Sequence, residues 1–216
     1  PVPLIKSFDR LLDVHRPVVL ANIRRIRRRK PNASPEEVIR VLERGYLAAI
    51  TTGGAAAGAS AAVPGVGTAV ALAVTGAETA GFLEASALFA QSVSEVHGIA
   101  VTEPERARAL VMALMLGESG KKLVDQFTGQ VGGAGSPRPA FWGEMITNSL
   151  PRAVVGPLTD RLKKNFVKSF LTKHAGSMLG RFIPFGVGAV IGGTGSHLLG
   201  RRVIKTARDA FPPPPL

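Results

Sequence analysis

The chain has 216 residues and a net charge of +12; it is 45% apolar, only 6% aromatic, and lacks cysteine. That length allows one domain or two small ones, and the lack of thiols excludes disulfides and thiolate metal sites, which fits a reducing cytoplasm. A mean hydropathy of +0.20 with 19% charged residues leaves packing to Ala, Val, Leu and Gly, which bury less area per residue than large side chains.

Leu4 to Lys30 reads as helix interrupted near Pro17, which lacks a backbone donor and suits a helix start. Leu4, Phe8, Leu11, Leu12 and His15 share one face before the break. After it, Val19, Ile23 and Ile26 fall on one side of a stretch carrying Arg24, Arg25, Arg27, Arg28, Arg29 and Lys30. Such a basic amphipathic segment lies on anionic membranes or binds acidic partners. The same cations would also suit a solvated helix C-terminus. Asp9, Arg10 and Asp13 break the first apolar stretch, so no secretory signal is expected.

Ser34-Pro35-Glu36-Glu37 predicts a helix start with Ser34 as N-cap, Pro35 at N1 and Glu37 closing a capping box. The helix runs into Tyr46–Ala77, which holds no Asp, Glu, Lys or Arg and is interrupted at Pro64-Gly65. Its first piece, at about 1.5 Å per residue, barely matches a bilayer core. The expectation is a re-entrant or buried helical hairpin rather than two crossings. Ala80 to His97 predicts a further helix with Phe82, Ala85, Leu88, Phe89, Val93 and Val96 on its apolar side. Glu78 and Glu84 are six apart and face different ways. These glutamates and Glu95 are expected to pair with basic residues or face water; a proton site, with the carboxyl pKa raised by apolar surroundings, is the alternative.

Thr102 reads as the N-cap of a helix that buries Leu110, Val111, Leu114 and Met115 and stops at Gly117. Gly129 to Pro139 reads as a flexible loop and a boundary between two helical units. Leu158 to His174 is amphipathic and basic, with Leu162, Phe166, Phe170 and Leu171 opposite Arg161, Lys163, Lys164, Lys168 and Lys173. Phe182–Gly200 is again free of formal charge. Within it Gly188, Gly192, Ser196 and Gly200 recur every four residues, the small-xxx-small pattern of close helix contact; a Gly-rich loop is the alternative. Arg201 and Arg202 follow as an interfacial anchor. Pro212 to Pro215 reads as a disordered polyproline tail.

Charge follows this organisation. Residues 1–45 carry +6, residues 46–100 carry −3, and residues 151–216 carry +9. Basic arms around an apolar middle fit anionic lipid at about 1 kcal/mol per nearby cation. They fit nucleic acid less well, because no stacking aromatics interleave with the charges. His15, His97, His174 and His197 have no metal-ligand spacing. Gly65-Val66-Gly67 and Gly186-Val187-Gly188 lack the full phosphate-loop pattern, and no G-x-S-x-G elbow occurs. No cofactor and no catalytic set is expected.

Three blocks resemble the EcsC protein family. They are the Gly/Ala stretch ending Pro64-Gly65-Val66-Gly67; Val96-His97-Gly98 with Glu103-Pro104 and Leu114-Met115-Leu116-Gly117; and Ile183-Pro184-Phe185-Gly186-Val187-Gly188-Ala189-Val190-Ile191-Gly192 followed by Arg201-Arg202-Val203 and Ala207-Arg208. The likeness spans about residues 35–211 and departs at Ser196-His197, where the family pattern carries Asn. It implies an all-helical bacterial protein whose namesake is encoded beside an ABC transporter implicated in secretion. It implies no catalytic residues.

The resulting expectation is an all-α, multi-helix bundle with Gly/Ala-rich apolar hairpins, either membrane-inserted or interfacial. Basic amphipathic helices at residues 1–34 would precede an EcsC-like domain at 35–211 and a Pro-rich tail at 212–216. The expected function is a non-enzymatic accessory or scaffold protein on the cytoplasmic face of the cell membrane. Anionic lipids would be its partners through Arg24, Arg25, Arg27, Arg28, Arg29, Lys30, Lys163, Lys164, Lys168, Arg201 and Arg202. A membrane-protein partner or self-assembly would use Gly188, Gly192, Ser196 and Gly200. The alternatives are a soluble helical interaction module, with the Gly/Ala runs as its core, and a nonspecific nucleic-acid binder.

Overall fold

A computed structural model describes residues 12, 14–61, 68–131, 141–180 and 187–213, without the side chains of 54–61, 68–76, 130–131, 170–180 and 187–193. The protein is all-helical, and among the described residues no strand occurs. In chain order the helices are α1 (Arg16–Arg29), α2 (Pro35–Ala61), α3 (Thr68–Val96), α4 (Pro104–Leu116), α5 (Glu118–Val131), a short α6 (Trp142–Glu144) continuing as one π-helical segment (Met145–Ser149), α7 (Arg152–Gly180) and α8 (Val187–Ala210).

Local chemistry sets these boundaries. Pro17 lies in the first turn of α1, and Val19, Ile23 and Ile26 are buried beneath it. The Ser34 capping box forms: the Glu37 amide donates to Ser34 Oγ (3.2 Å), and the Ser34 amide donates to Glu37 Oε2 (2.9 Å). Gly117, with φ +63°, ends α4 and donates to the Ala113 and Leu114 carbonyls.

The N-cap of α4 differs from expectation. It is Glu103, not Thr102, and it makes no capping bond, because its carboxylate is drawn instead to two arginines. The loop expected from Gly129 begins later, since α5 runs to Val131; residues 132–140 lie outside the described ones. Helices before and after that segment share one hydrophobic cluster running from Leu12 to Phe211, and α4 packs against α7 and α8 as well as α3 and α5. The first expected apolar face (Leu4, Phe8 and Leu11) lies outside the described residues, as does the Pro64-Gly65 interruption.

Helix α4 is the centre of the bundle. Ala107, Ala109, Leu110, Val111, Met112, Ala113 and Leu114 are all buried, the mark of a helix surrounded on every side. Against this core, α2 and α8 form the most extensive helix pair. They run antiparallel: Glu43 meets Arg208, Leu47 and Ile50 meet Gly200, and Thr51 Oγ1 lies 3.1 Å from His197 Nδ1. Helix α2 also packs on α3, where Tyr46 stacks on Phe89 (centroids 4.8 Å apart) and donates to Ser86 Oγ at 2.8 Å. Burial pushes the Tyr46 phenol up to about 12. Among the described residues no helix is long and apolar enough to cross a membrane.

Among the described glycines, the closest backbone approach lies at Gly120. A Cβ there would collide with the Ala113 carbonyl, whose carbon would be only 2.8 Å away. Backbone cannot swing aside, so Gly120→Ala is expected to lower stability by about 2 kcal/mol. Gly129 faces open space in the same helix, and Gly129→Ala should add about 0.5 kcal/mol through helix propensity alone. Urea unfolding of the two variants checks the contrast.

The polyproline tail is not wholly free. Phe211 is buried and stacks on the His97 ring with centroids 5.1 Å apart. His97 Nε2 is 2.9 Å from the Pro212 carbonyl oxygen, and Nδ1 is 2.8 Å from that of Val93. The expected disorder is therefore corrected at Pro212, because an imidazole and an aromatic ring hold the chain there.

Candidate functional site

The α1 helix presents its two faces to different surroundings. Its apolar residues are locked against α3 and α2, and Asn22 Nδ2 donates to Ser92 Oγ of α3 at 3.3 Å. That docking forces Arg24, Arg25, Arg27, Arg28, Arg29 and Lys30 outward, and all six are exposed. Arg24, Arg27 and Arg28 surround a shallow hollow with Pro31. Among the described residues, none of the six has a carboxylate partner; Arg25 donates only to Asn22 Oδ1 (3.2 Å).

Arginines elsewhere behave differently. Arg16 makes a two-point contact with Glu95 (2.8 and 3.2 Å), so that of the two expected outcomes, a basic partner or water, this glutamate has the basic partner. Arg208 grips Glu43 (2.7 and 2.9 Å) and touches Glu36 (3.5 Å). Arg40 pairs with Glu36 one turn away. Glu36, Glu43 and Glu95 are thus held by other cations.

The other expected anion-binding residues lie apart from α1. Lys164 and Lys168 are exposed on α7 and Lys163 is half-buried there; that helix packs chiefly on α4 and α5. Arg201 and Arg202 are exposed on α8. Large apolar side chains are left exposed beside each of these groups: Val167 on α7, and Leu198 (60% exposed) and Leu199 on α8. Val18 (51% exposed) lies on α1 itself, on the side of Asn22 and Arg25 by i, i+4 and i, i+7 spacing. Cations beside exposed aliphatics make an amphipathic surface of the interfacial kind. The sequence reading missed Leu198, Leu199 and Val167, although Leu198 precedes Arg201 and Arg202 by three and four positions.

The small-residue stripe divides. Gly200 is buried against α2, where a Cβ would meet the tips of Ile50 and Leu47, and Ser196 is half-buried. The surroundings of Gly188 and Gly192 lie outside the described side chains.

A second cluster joins α4 to the π-helical segment. The Arg106 guanidinium is buried; Nη1 donates to the Ile146 carbonyl (2.9 Å), Nη2 to that of Leu150 (2.8 Å), and Nε to Glu103 Oε2 (3.2 Å). Arg152 holds the other oxygen of Glu103 at 3.0 Å. Hydrogen bonds from Arg152 first, and from Arg106, keep the Glu103 carboxyl below its usual range. A depressed folded value means the ionised carboxylate favours the fold. That contribution is complete above the ordinary value of 4.5 and is lost as pH falls through the folded one. Glu103→Gln should therefore flatten the dependence of the thermal midpoint on pH between about 5 and about 3. The cluster is structural in geometry: it ties α4 to the π-helical segment and to the start of α7. Among the described residues, no group of three His, Asp or Glu is placed to hold a metal ion.

Compared with protein-family models, with curated proteins and with solved structures, the chain matches none of them.

Proposed function

We propose that this protein is a non-enzymatic accessory or scaffold protein held on the cytoplasmic face of an anionic membrane. The observation that carries the reading is the α1 ridge, six exposed cations that have no carboxylate partner among the described residues, on a helix whose other face is fixed in the core. At about 1 kcal/mol per cation near an anionic surface, a ridge of this size supplies useful affinity with no conformational change. Arg201 and Arg202 with Leu198, and Lys164 with Val167, offer further amphipathic contacts. The burial of Tyr46 against α3, and of Ile50 and Gly200 between α2 and α8, supports peripheral attachment, because this part of the Gly/Ala sequence is spent on the protein's own packing. The residue blocks that resemble the EcsC family support a bacterial role linked to transport or secretion.

Competition between surfaces tests the reading. At equal ionic strength, vesicles containing anionic phospholipid should take the protein from a random-sequence DNA duplex of the same charge concentration. Retention on DNA would favour nonspecific nucleic-acid binding.

A further inference from the structure

An open groove of about 630 Å³ lies between α1, α2 and α3, within the size range of small-molecule sites. Its floor is aliphatic and aromatic: Leu42, Ala49, Ala85, Leu88 and Phe89. Its rim is cationic, with Arg25, Arg29 and Lys30 from α1 and Arg44 from α2. All four are exposed and, among the described residues, none has a carboxylate partner. Arg44 spends only its Nε, on the Arg40 carbonyl at 3.3 Å, and Arg25 only one Nη. Tyr46 also lines the groove, but its hydroxyl is consumed by Ser86, so it adds apolar ring rather than a polar contact.

We infer that this groove seats one acyl chain of an anionic phospholipid, with the phosphate among Arg25, Arg29, Lys30 and Arg44. Charge complementarity selects an anion at the rim, and the floor offers a chain nothing to hydrogen-bond. A partner helix fits poorly: one turn of a cylinder about 10 Å wide and 5.4 Å tall fills about 420 Å³, so the groove holds little more than a single turn. A flexible chain needs no such width. The inference rests on the membrane reading above and refines it, from charge attraction at a surface to a defined lipid site. Three rim residues, Arg25, Arg29 and Lys30, belong to the α1 ridge, so a chain drawn from the bilayer would lie beside the helix that reaches the headgroups.

The test uses dioctanoyl phosphatidylglycerol below its micelle concentration, titrated calorimetrically into the full chain. Glycerol 3-phosphate and dioctanoyl phosphatidylcholine serve as the chain-free and zwitterionic probes. Saturable one-to-one binding is expected for the anionic lipid, at least tenfold tighter than for either control. Ala85→Trp, which fills the groove without changing charge, should weaken it at least tenfold while flotation with anionic vesicles stays within twofold. Ala49→Trp, at an exposed position, gives the same reading should Ala85→Trp fail to fold. Equal affinity for glycerol 3-phosphate, or lipid binding indifferent to both Trp variants, would overturn the groove site while leaving vesicle flotation, and so the membrane reading, intact. Failure of flotation alongside saturable lipid uptake would instead count against the membrane reading alone. A self-associated protein that dissociates on Ala85→Trp and takes up no lipid would assign the groove to a second copy and overturn the proposal.

Discussion

Replacing Arg24, Arg25, Arg27, Arg28 and Arg29 together by Gln will weaken binding to anionic vesicles by about three orders of magnitude and leave the fold intact. Each of these side chains is exposed, and none is paired with a carboxylate among the described residues, so their removal breaks no ion pair. At about 1 kcal/mol each, five cations contribute about 5 kcal/mol at most, and every 1.4 kcal/mol is tenfold in affinity. Mutual crowding and salt screening lower the sum. Vesicle titration at fixed ionic strength measures the loss, and far-ultraviolet circular dichroism checks the helices. A loss under tenfold would mean that the ridge is merely a solvated helix end. Arg16→Gln serves as a control of the opposite kind: its charge is already neutralised by Glu95, so it should change vesicle affinity less than any ridge arginine.

Arg106→Met is expected to destabilise the protein by about 3 kcal/mol. The substitution keeps an unbranched apolar stem but removes every donor from a buried site. The Ile146 and Leu150 carbonyls then lose the partners seen at 2.9 and 2.8 Å. Leaving buried acceptors unsatisfied costs about 1 to 3 kcal/mol each, whereas Glu103 is 36% exposed and keeps Arg152, so its charge adds little to the cost. For a chain of this size, 3 kcal/mol corresponds to a fall in Tm of about 9 °C. Arg152→Gln provides the comparison within the same cluster. That arginine binds the same carboxylate from a side chain 82% exposed, where ion pairs contribute about 0.5 kcal/mol. If the two variants melted alike, the bridge from Arg106 to the π-helical segment would not be holding that segment in place.

Local signals were readable from sequence wherever the cause and its effect lie within a few residues. The Ser34–Glu37 capping box, the Gly117 stop and the buried face Val19–Ile23–Ile26 depend on spacings of three to five positions. The all-helical class followed from the same periodicities. The Glu103 cap was misread because its competing partner, Arg152, is 49 residues away. Arg106 gave no sign of burial, since the carbonyls it satisfies lie 40 and 44 positions downstream. Glycine shows the same division. The periodic stripe drew notice to Gly200, whose neighbours are the side-chain tips of Ile50 and Leu47, while the positions with backbone against them include Gly120 and Gly143, single glycines with no period. Helix α5 was passed over because its apolar positions, Leu123, Val124 and Phe127, are few.

For the candidate site, the sequence showed which residues are cationic but not which remain unpaired. That distinction needs the positions of Glu36, Glu43, Glu95 and Glu103, which pairing places on Arg40, Arg208, Arg16 and Arg152. The groove was invisible for a related reason. Arg44 joins its rim only because α2 packs beside α1, and Ala85 and Leu88 reach its floor only because α3 returns against both.

The most direct measurement is flotation of the purified chain with liposomes, with and without anionic phospholipid, at low and at high salt. The account predicts recovery with the anionic vesicles alone, reduced steeply as salt screens the α1 ridge. Equal recovery with neutral vesicles, or none with either, would contradict it.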